Sequence, residues 1–314
     1  LTTPAVAAPE VKVATGTLSG TTADGIDAFR NIPFAAPPVG AMRWMPPAPA
    51  AAWTGKRDAT KNGPVCPQPV SSSSLGGVDA TTPQSEDCLT LNVFAPTGAK
   101  KAPVMVWLHG GAHLIGAGSL PYYDGTALAK RGVVLVGVNY RLGALGYFAH
   151  PALTSAAGAA APLANYGAMD QEAALKWVKA NIAAFGGDPA NVTLFGESAG
   201  GGSTLFLLAN NKSAGLVQKA IVQSGSGWQP PSSLTAKEAE GAAIAKSAGA
   251  ADDADAAALR AIPVARLVGA LAPNFGPFVD GRYFITTPAK AFADGTAQDV
   301  PLVIGANSDE GSLM

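Results

Sequence analysis

The chain has 314 residues, of which 48% are hydrophobic and only 14% are charged, with 21 basic and 22 acidic side chains and a formal net charge of −1. So little charge excludes a chain kept unfolded by repulsion, and the balance of signs excludes strong electrostatic attraction to nucleic acid or to an anionic membrane surface. No apolar run approaches the roughly 20 residues that a membrane-spanning helix needs, so the composition indicates a globular protein with a large core.

The predicted elements fall into two regions along the chain. Prolines cluster in the first 60 residues and indicate an irregular or antiparallel lead-in. From about residue 90 onward, short β-branched runs punctuated by glycine predict buried strands. These strands are predicted at residues 104–109, 133–140, 192–196, 220–225 and 302–307.

Helical patterns separate the predicted strands. Ala174, Val178 and Ile182 recur at helical spacing before residues 186–189 (GGDP) end that helix. Strands that alternate with helices predict an α/β fold with a mostly parallel, doubly wound sheet. We therefore expect one domain over residues 1–314, with the antiparallel lead-in at its N-terminal end.

Two further helices are predicted in the C-terminal third of the chain. Thr235 is followed three residues later by Glu238, which is the spacing of a capping box and opens an alanine-rich segment. Residues 252–259 form a second helical pattern. Both helices are interpreted as scaffold elements that cover the sheet.

A G-x-S-x-G motif at residues 196–200 (GESAG) lies between a predicted strand and a helix that is expected to reach about residue 208. A sharp strand-to-helix turn strains the serine backbone and holds its hydroxyl clear of the sheet, while the flanking glycines avoid clashes. The start of the helix adds N–H groups that point at developing negative charge. We interpret Ser198 as a nucleophile, with a purely structural turn as the alternative.

A glycine-rich loop at residues 108–113 (LHGGAH) directly follows the first of these buried strands. Backbone N–H groups in such a loop can face the carbonyl oxygen of a substrate and stabilise the oxyanion that forms in the tetrahedral intermediate. A plain turn that ends the strand is the alternative.

Several more motifs accompany these two and extend over nearly the whole chain. They are residues 29–35 (FRNIPFA), 86–92 (EDCLTLN), 139–141 (NYR) and 185–201 (FGGDPANVTLFGESAGG). In combination they resemble the type-B carboxylesterases, the cholinesterase-like branch of the α/β-hydrolases.

The resemblance implies a role for five residues. Ser198 is expected to be the nucleophile, and the backbone N–H groups of Gly111, Ala112 and Ala199 are expected to form the oxyanion hole. Ser224 matches a family serine that is expected to support the triad through hydrogen bonding.

The chain has two cysteines, Cys66 and Cys88, which either form a disulfide in an oxidising compartment or remain as two buried thiols. The resemblance implies the disulfide, because this pair corresponds to the first disulfide of the family. The chain also starts at Leu1 without an initiator methionine, which fits a mature end left after removal of a signal peptide and equally fits a trimmed sequence. We therefore expect a secreted or periplasmic protein.

An acidic segment at residues 307–311 (NSDEG) follows the last predicted strand. It resembles the family segment in which the triad acid is the glutamate before a glycine, which assigns that role to Glu310. Asp309 is the second candidate, and a solvated acidic turn is the alternative to both.

No histidine occupies the place of the family's catalytic base, because His109, His113 and His150 all precede Ser198. His109 belongs to the glycine-rich loop, and His150 is interpreted as structural. His113 stands where relatives usually have an aromatic residue, so it is a candidate to line the pocket or to replace the base.

The base is therefore expected from a C-terminal segment of the same precursor. An apolar sheet flank at residues 302–307 also calls for a further strand and helices. Three explanations remain open: a cleaved polypeptide whose C-terminal partner stays bound, a sequence that stops short of the native end, or an inactive fragment.

The expected reaction is hydrolysis of a small-molecule carboxylic ester through an acyl-enzyme, by a Ser-His-Glu triad. No metal or organic cofactor is expected, and Trp228 and His113 are candidate pocket residues. The alternative is a catalytically silent, cholinesterase-like binding protein of the adhesion type, which keeps the fold and loses the chemistry.

Overall fold

The elements of the structure follow the apolar runs of the sequence. The computed structural model describes residues 8–70, 77–225, 227–228, 232–270 and 274–310. The strands are Glu10–Val13 (β1), Gly16–Ser19 (β2), Thr21–Ala23 (β3), Ile26–Pro33 (β4), Lys56–Asp58 (β5), Thr90–Pro96 (β6), Ala102–Leu108 (β7), Val134–Val138 (β8), Gly187–Glu197 (β9), Lys219–Gln223 (β10) and Leu302–Gly305 (β11). The α-helices are Thr126–Ala129 (α1), Gly143–Gly146 (α2), Pro151–Ala157 (α3), Tyr166–Asn181 (α4), Ala199–Ala209 (α5), Leu234–Ser247 (α6), Ala256–Arg260 (α7), Val264–Gly269 (α8) and Pro288–Ala293 (α9).

The main sheet has the strand order β11-β10-β9-β7-β8-β6-β4-β3. Neighbouring strands from β11 to β8 run parallel, whereas β6, β4 and β3 extend the sheet through antiparallel pairs. Every strand that the sequence predicted lies in the parallel part. The mostly parallel, doubly wound α/β sheet with an antiparallel N-terminal lead-in is confirmed.

A second, smaller sheet in the lead-in has the order β1-β2-β5. Its first pair is antiparallel, as expected, but β2 pairs with β5 in parallel. The difference arises because the chain passes through β3 and β4 before it returns to the small sheet. Val13 and Leu18 from this sheet belong to the same buried cluster as the main sheet.

The centre of the core is a continuous run of buried residues on the inner strands. All five residues of β8 are buried, and Val106 of β7 and Leu194 of β9 have no exposed surface. A strand that is covered on both faces needs apolar residues at consecutive positions, which is why β8 shows no alternation of buried and exposed residues.

The helix starts in the C-terminal third differ in detail from the prediction. Ser233 caps α6 with its hydroxyl, two residues before Thr235. Glu238 does not close a capping box, because its carboxylate accepts a hydrogen bond from Thr154 of α3. The second predicted helix is α7, which begins later than expected because Asp255 acts as its cap.

Cys66 and Cys88 form a disulfide, and both are buried. The prediction from the family resemblance is confirmed. The bridge fastens the segment after the proline-rich lead-in to the residues that enter β6.

The strand β11 forms one edge of the main sheet within the described residues. Its apolar side chains are open to solvent: Val303 is 64% exposed and Ile304 is 50% exposed. Among the described helices, none combines the length and the apolar character required to cross a bilayer.

Candidate active site

Ser198 lies at the junction between β9 and α5, in a backbone conformation that residues with a side chain rarely adopt. Its φ is 52° and its ψ is −119°. The Ser198 N–H donates to the carbonyl of Gln223 at 2.8 Å, and the Ser198 carbonyl accepts the N–H of Gly202 at 2.9 Å. These hydrogen bonds hold the strained turn between the ends of β9 and β10.

The glycines of the motif allow close approach of the backbone. A Cβ atom on Gly196 would lie 2.5 Å from the carbonyl carbon of Gly200, and one on Gly200 would lie 2.0 Å from the carbonyl oxygen of Leu108. The second contact packs the first turn of α5 against the end of β7. The serine turn and the glycine-rich loop are therefore direct neighbours.

The glycine-rich loop passes next to the serine side chain. A Cβ atom on Gly110 would lie 3.2 Å from the Ser198 Cβ and 2.5 Å from the Glu197 Oε2. The next two residues, Gly111 and Ala112, have φ angles of 96° and 56°. This left-handed turn reverses the loop beside Ser198 instead of letting β7 continue.

The three N–H groups that the resemblance assigns to an oxyanion hole have no acceptor among the described residues. Gly111 and Ala112 supply two of them from the loop, and Ala199 supplies the third from the first turn of α5. Since the start of a helix favours negative charge, the arrangement suits an anionic oxygen beside Ser198.

Glu310 follows β11, two strands away from the serine turn in the sheet. Its Oε1 accepts hydrogen bonds from the Ser224 hydroxyl and, at 2.7 Å, from the N–H of Asn307. The hydrogen bond from Ser224 is the main reason why the pKa of Glu310 lies below its ordinary value. Asp309, the second candidate for the triad acid, is exposed.

Ser224 also bonds to the backbone of β11, because the Ser224 N–H donates to the Gly305 carbonyl at 2.7 Å. Ser224 therefore joins the end of β10 to both the strand and the carboxylate that follows it. This arrangement agrees with the supporting role that the resemblance implied.

Glu197 is a second carboxylate next to the nucleophile that the sequence reasoning missed. Burial is the main cause of its raised pKa, and the negative charge of Glu310 adds to it. The two carboxylates are therefore close enough for the charge of one to affect the ionisation of the other. The residue was visible inside the G-x-S-x-G motif, but nothing in the sequence showed that it interacts electrostatically with Glu310.

His109 and His113 are buried in and beside the glycine-rich loop. Burial lowers the pKa of His109 to about 4, and its ring stacks on Tyr140 with the centroids 4.3 Å apart. Burial and, secondly, the neighbouring His109 lower the pKa of His113 to about 3. Its Nε2 lies 2.9 Å from the Ser203 Oγ, and no hydrogen bond joins it to Ser198 among the described residues. A ring with so low a pKa and no hydrogen bond to Ser198 is a poor candidate for the catalytic base.

The two remaining candidates are His150 and Trp228. His150 accepts the N–H of Ala152 on its Nδ1 at 3.2 Å and so caps α3, as expected for a structural residue. Trp228, a candidate pocket residue, is 57% exposed.

Comparisons with known proteins agree with this geometry. The model of the carboxylesterase family matches residues 7–314. A fumonisin B1 esterase of Sphingopyxis macrogoltabida is 42% identical over 303 residues, which are 94% of this chain and 55% of that protein. A para-nitrobenzyl esterase of Bacillus subtilis is 43% identical over 310 residues, which are 95% of this chain and 62% of that protein. A solved PNB esterase structure matches with a TM-score of 0.88 at 42% identity, over 97% of this chain and 64% of that chain.

The sheet order, the strained serine turn and the adjoining glycine-rich loop define an α/β-hydrolase. The chain belongs to the carboxylesterase family. It spans 55% and 62% of the length of the two curated relatives.

Proposed function

We propose that residues 1–314 are the N-terminal and central part of one α/β-hydrolase domain, which hydrolyses small-molecule carboxylic esters through an acyl-enzyme. The observation that carries the proposal is the strained backbone of Ser198 beside N–H groups that have no acceptor among the described residues. A structural turn has no need of such donors. Membership of the carboxylesterase family supports the same reaction.

In the proposed reaction the Ser198 Oγ attacks the acyl carbon while a histidine takes its proton. The carbonyl oxygen becomes an oxyanion, which the N–H groups of Gly111, Ala112 and Ala199 stabilise. Glu310 orients the imidazole and stabilises its cation, and the alcohol leaves with the proton. Water then repeats the sequence on the acyl-enzyme, and no step needs a metal or an organic cofactor.

The histidine is proposed to come from a C-terminal segment of the same precursor. None of the chain's three histidines bonds to Ser198, and the carboxylate of Glu310 follows an edge strand with exposed apolar side chains. An apolar sheet edge is stabilised when another strand or a helix covers it. A segment that covers β11 would also bring its residues close to Glu310.

A secreted or periplasmic location is proposed from the disulfide between Cys66 and Cys88. Disulfides persist in oxidising compartments and are rare in the cytosol. N-terminal sequencing of the native protein tests the proposal, because a processed end behind a signal peptide supports it and a retained initiator methionine contradicts it.

The reaction is tested by turnover of a chromogenic para-nitrophenyl ester by the full-length protein. We expect saturable hydrolysis and a loss of at least about 1,000-fold in kcat for Ser198→Ala. If the wild-type protein is no faster than this variant, the catalytically silent binding protein is the correct interpretation.

A further inference from the structure

His113 lies in the glycine-rich loop but has no step of its own in the proposed reaction. Only 7% of its surface is exposed, and its φ of 55° continues the left-handed turn that begins at Gly111. A buried imidazole is costly unless its nitrogen atoms find partners. The partners of this ring connect the loop to two helices.

On one side, the ring bonds to the helix that carries the nucleophile. The His113 Nε2 lies 2.9 Å from the Oγ of Ser203, which follows Ser198 on α5. The Nε2 of Gln171 on α4 donates to the same Oγ at 3.1 Å, and neither Ser203 nor Gln171 has exposed surface. A serine hydroxyl donates one hydrogen bond and accepts two, so Ser203 can accept from Gln171 and bond to the His113 Nε2 in either tautomer of the ring.

On the other side, backbone and aromatic groups cover the ring. A Cβ atom on Gly276 would lie 2.7 Å from the His113 Nδ1, and the ring of Tyr147 makes an edge contact with a centroid distance of 5.0 Å. The His113 carbonyl accepts the N–H of Gly143 at 2.7 Å. Both the side chain and the backbone of His113 are therefore fixed.

We propose that His113 is a positioning residue, which holds the glycine-rich loop in register with Ser198 by joining it through Ser203 to α5. The role rests on the proposed esterase function. Gly111 and Ala112 directly precede His113, and Ala199 lies on the helix that carries Ser203. The bond between His113 and Ser203 thus links the two elements that supply the N–H donors.

This link matters because the N–H donors stabilise the transition state only when all of them point at the same oxyanion. Oxyanion donors stabilise the transition state at about 2.7 to 3.1 Å, and a displacement of about 1 Å costs on the order of 100-fold in rate. They act on the transition state more than on the bound ester, so their displacement lowers kcat and leaves KM nearly unchanged.

Two substitutions of His113 in the full-length enzyme separate positioning from packing. Phe keeps the ring shape and removes both nitrogen atoms, whereas Gln loses the ring shape and keeps a polar atom near the Nε2 position. We expect His113→Phe to lower kcat about 100-fold with KM changed by less than about 3-fold, and His113→Gln to lower kcat by less than about 10-fold. If His113 only fills space, His113→Gln will lower kcat more than His113→Phe does.

Ser203→Ala removes the other end of the same bond and deletes a single oxygen atom. We expect it to lower kcat about 10-fold, with no further loss when it is combined with His113→Phe. Ser213→Ala is the matched control, because Ser213 is equally buried and its hydroxyl also bonds to a glutamine, Gln298, at 2.7 Å. This control is expected to keep kcat within about 2-fold of the wild-type value.

The outcomes for His113 and for the proposed function are distinguishable. Wild-type turnover together with a fully active His113→Phe variant, or with additive losses in the double variant, overturns the positioning role alone. A wild-type protein without turnover overturns the esterase function, and the positioning role with it.

Discussion

At the scale of single residues, the contact between Gly110 and the serine turn sets the geometry of the site. A Cβ atom at position 110 would lie 2.5 Å from the Oε2 of Glu197, at the movable end of that side chain, and 3.2 Å from the Cβ of Ser198. The Glu197 carboxylate can turn aside, whereas the contact with Ser198 requires a shift of a few tenths of an ångström.

Gly110→Ala should therefore damage catalysis. The added methyl group displaces the Glu197 carboxylate and shifts the loop by a few tenths of an ångström, and we expect kcat to fall about 10-fold because the donors of the oxyanion hole move with the loop. Gly269→Ala is the control, since a Cβ atom there meets nothing within 4 Å. The measurement is kcat for ester hydrolysis by the two variants. A Gly110→Ala enzyme that is as fast as the control contradicts the proposed close contact between the loop and Ser198.

The two buried histidines predict a loss of stability in mild acid. Their pKa values are about 4 for His109 and about 3 for His113 in the folded protein, against 6.5 for the ordinary value. The unfolded chain binds these protons first, so the stability that they confer is complete above pH 6.5 and falls as the pH decreases. Near pH 5.5 we expect a loss of about 1.4 kcal/mol for each ring.

Urea unfolding at about pH 7.5 and pH 5.5 measures this loss. His113→Phe removes one of the two rings and should reduce the loss between the two pH values by about 1.4 kcal/mol. The same pH dependence in the variant and the wild type would show that His113 is not held neutral by burial.

The partners of these residues were beyond the reach of the sequence. The G-x-S-x-G motif predicted the turn at Ser198 because its signal is local, and the family resemblance drew attention to Glu310. The bond between His113 and Ser203 joins residues 90 positions apart, and no pattern relates them. For this reason His113 was interpreted as a pocket residue or a base.

At the scale of elements, the sequence predicted the inner strands well and the helix starts less well. β8 is a run of apolar residues that are buried at every position, and the apolar runs of β7, β9, β10 and β11 identified the other parallel strands. Two hydroxyl groups, of Ser233 and Thr235, are close enough in sequence to cap the start of α6. In the structure Ser233 is the cap, and Glu238 accepts a hydrogen bond from α3. A tertiary contact of this kind overrides a local capping signal.

The disulfide is a covalent restraint on the segment that leads into β6. Its two cysteines are 22 positions apart, and in the chain-entropy treatment a loop of this size stabilises the fold by about 3 kcal/mol. We expect the Cys66→Ala/Cys88→Ala variant to lose about that free energy of unfolding in urea titrations. Reducing agent should destabilise the wild type and leave the variant unchanged, and equal stability of the two proteins would argue against a structural role.

At the scale of the whole molecule, β11 connects the described fold to the proposed C-terminal segment. Ile304 is 50% exposed at this edge, while Ile285 is 71% exposed elsewhere on the surface. If further polypeptide covers β11 in the full-length protein, Ile304 is buried there and Ile285 is not.

Substitution with lysine distinguishes these two environments. We expect Ile304→Lys to lower the stability of the full-length protein by about 2 kcal/mol or more, because it buries a charge, and Ile285→Lys to have little effect. Thermal unfolding of both variants is the measurement. Equal and small changes in Tm would mean that β11 remains an open edge.

The central claim is that Ser198 is an activated nucleophile, and covalent labelling of the full-length protein with a fluorophosphonate tests it most directly. Peptide mapping by mass spectrometry should find one adduct, on Ser198, and labelling should be lost in Ser198→Ala. An unlabelled wild-type protein, or an adduct on a different serine, would contradict the claim.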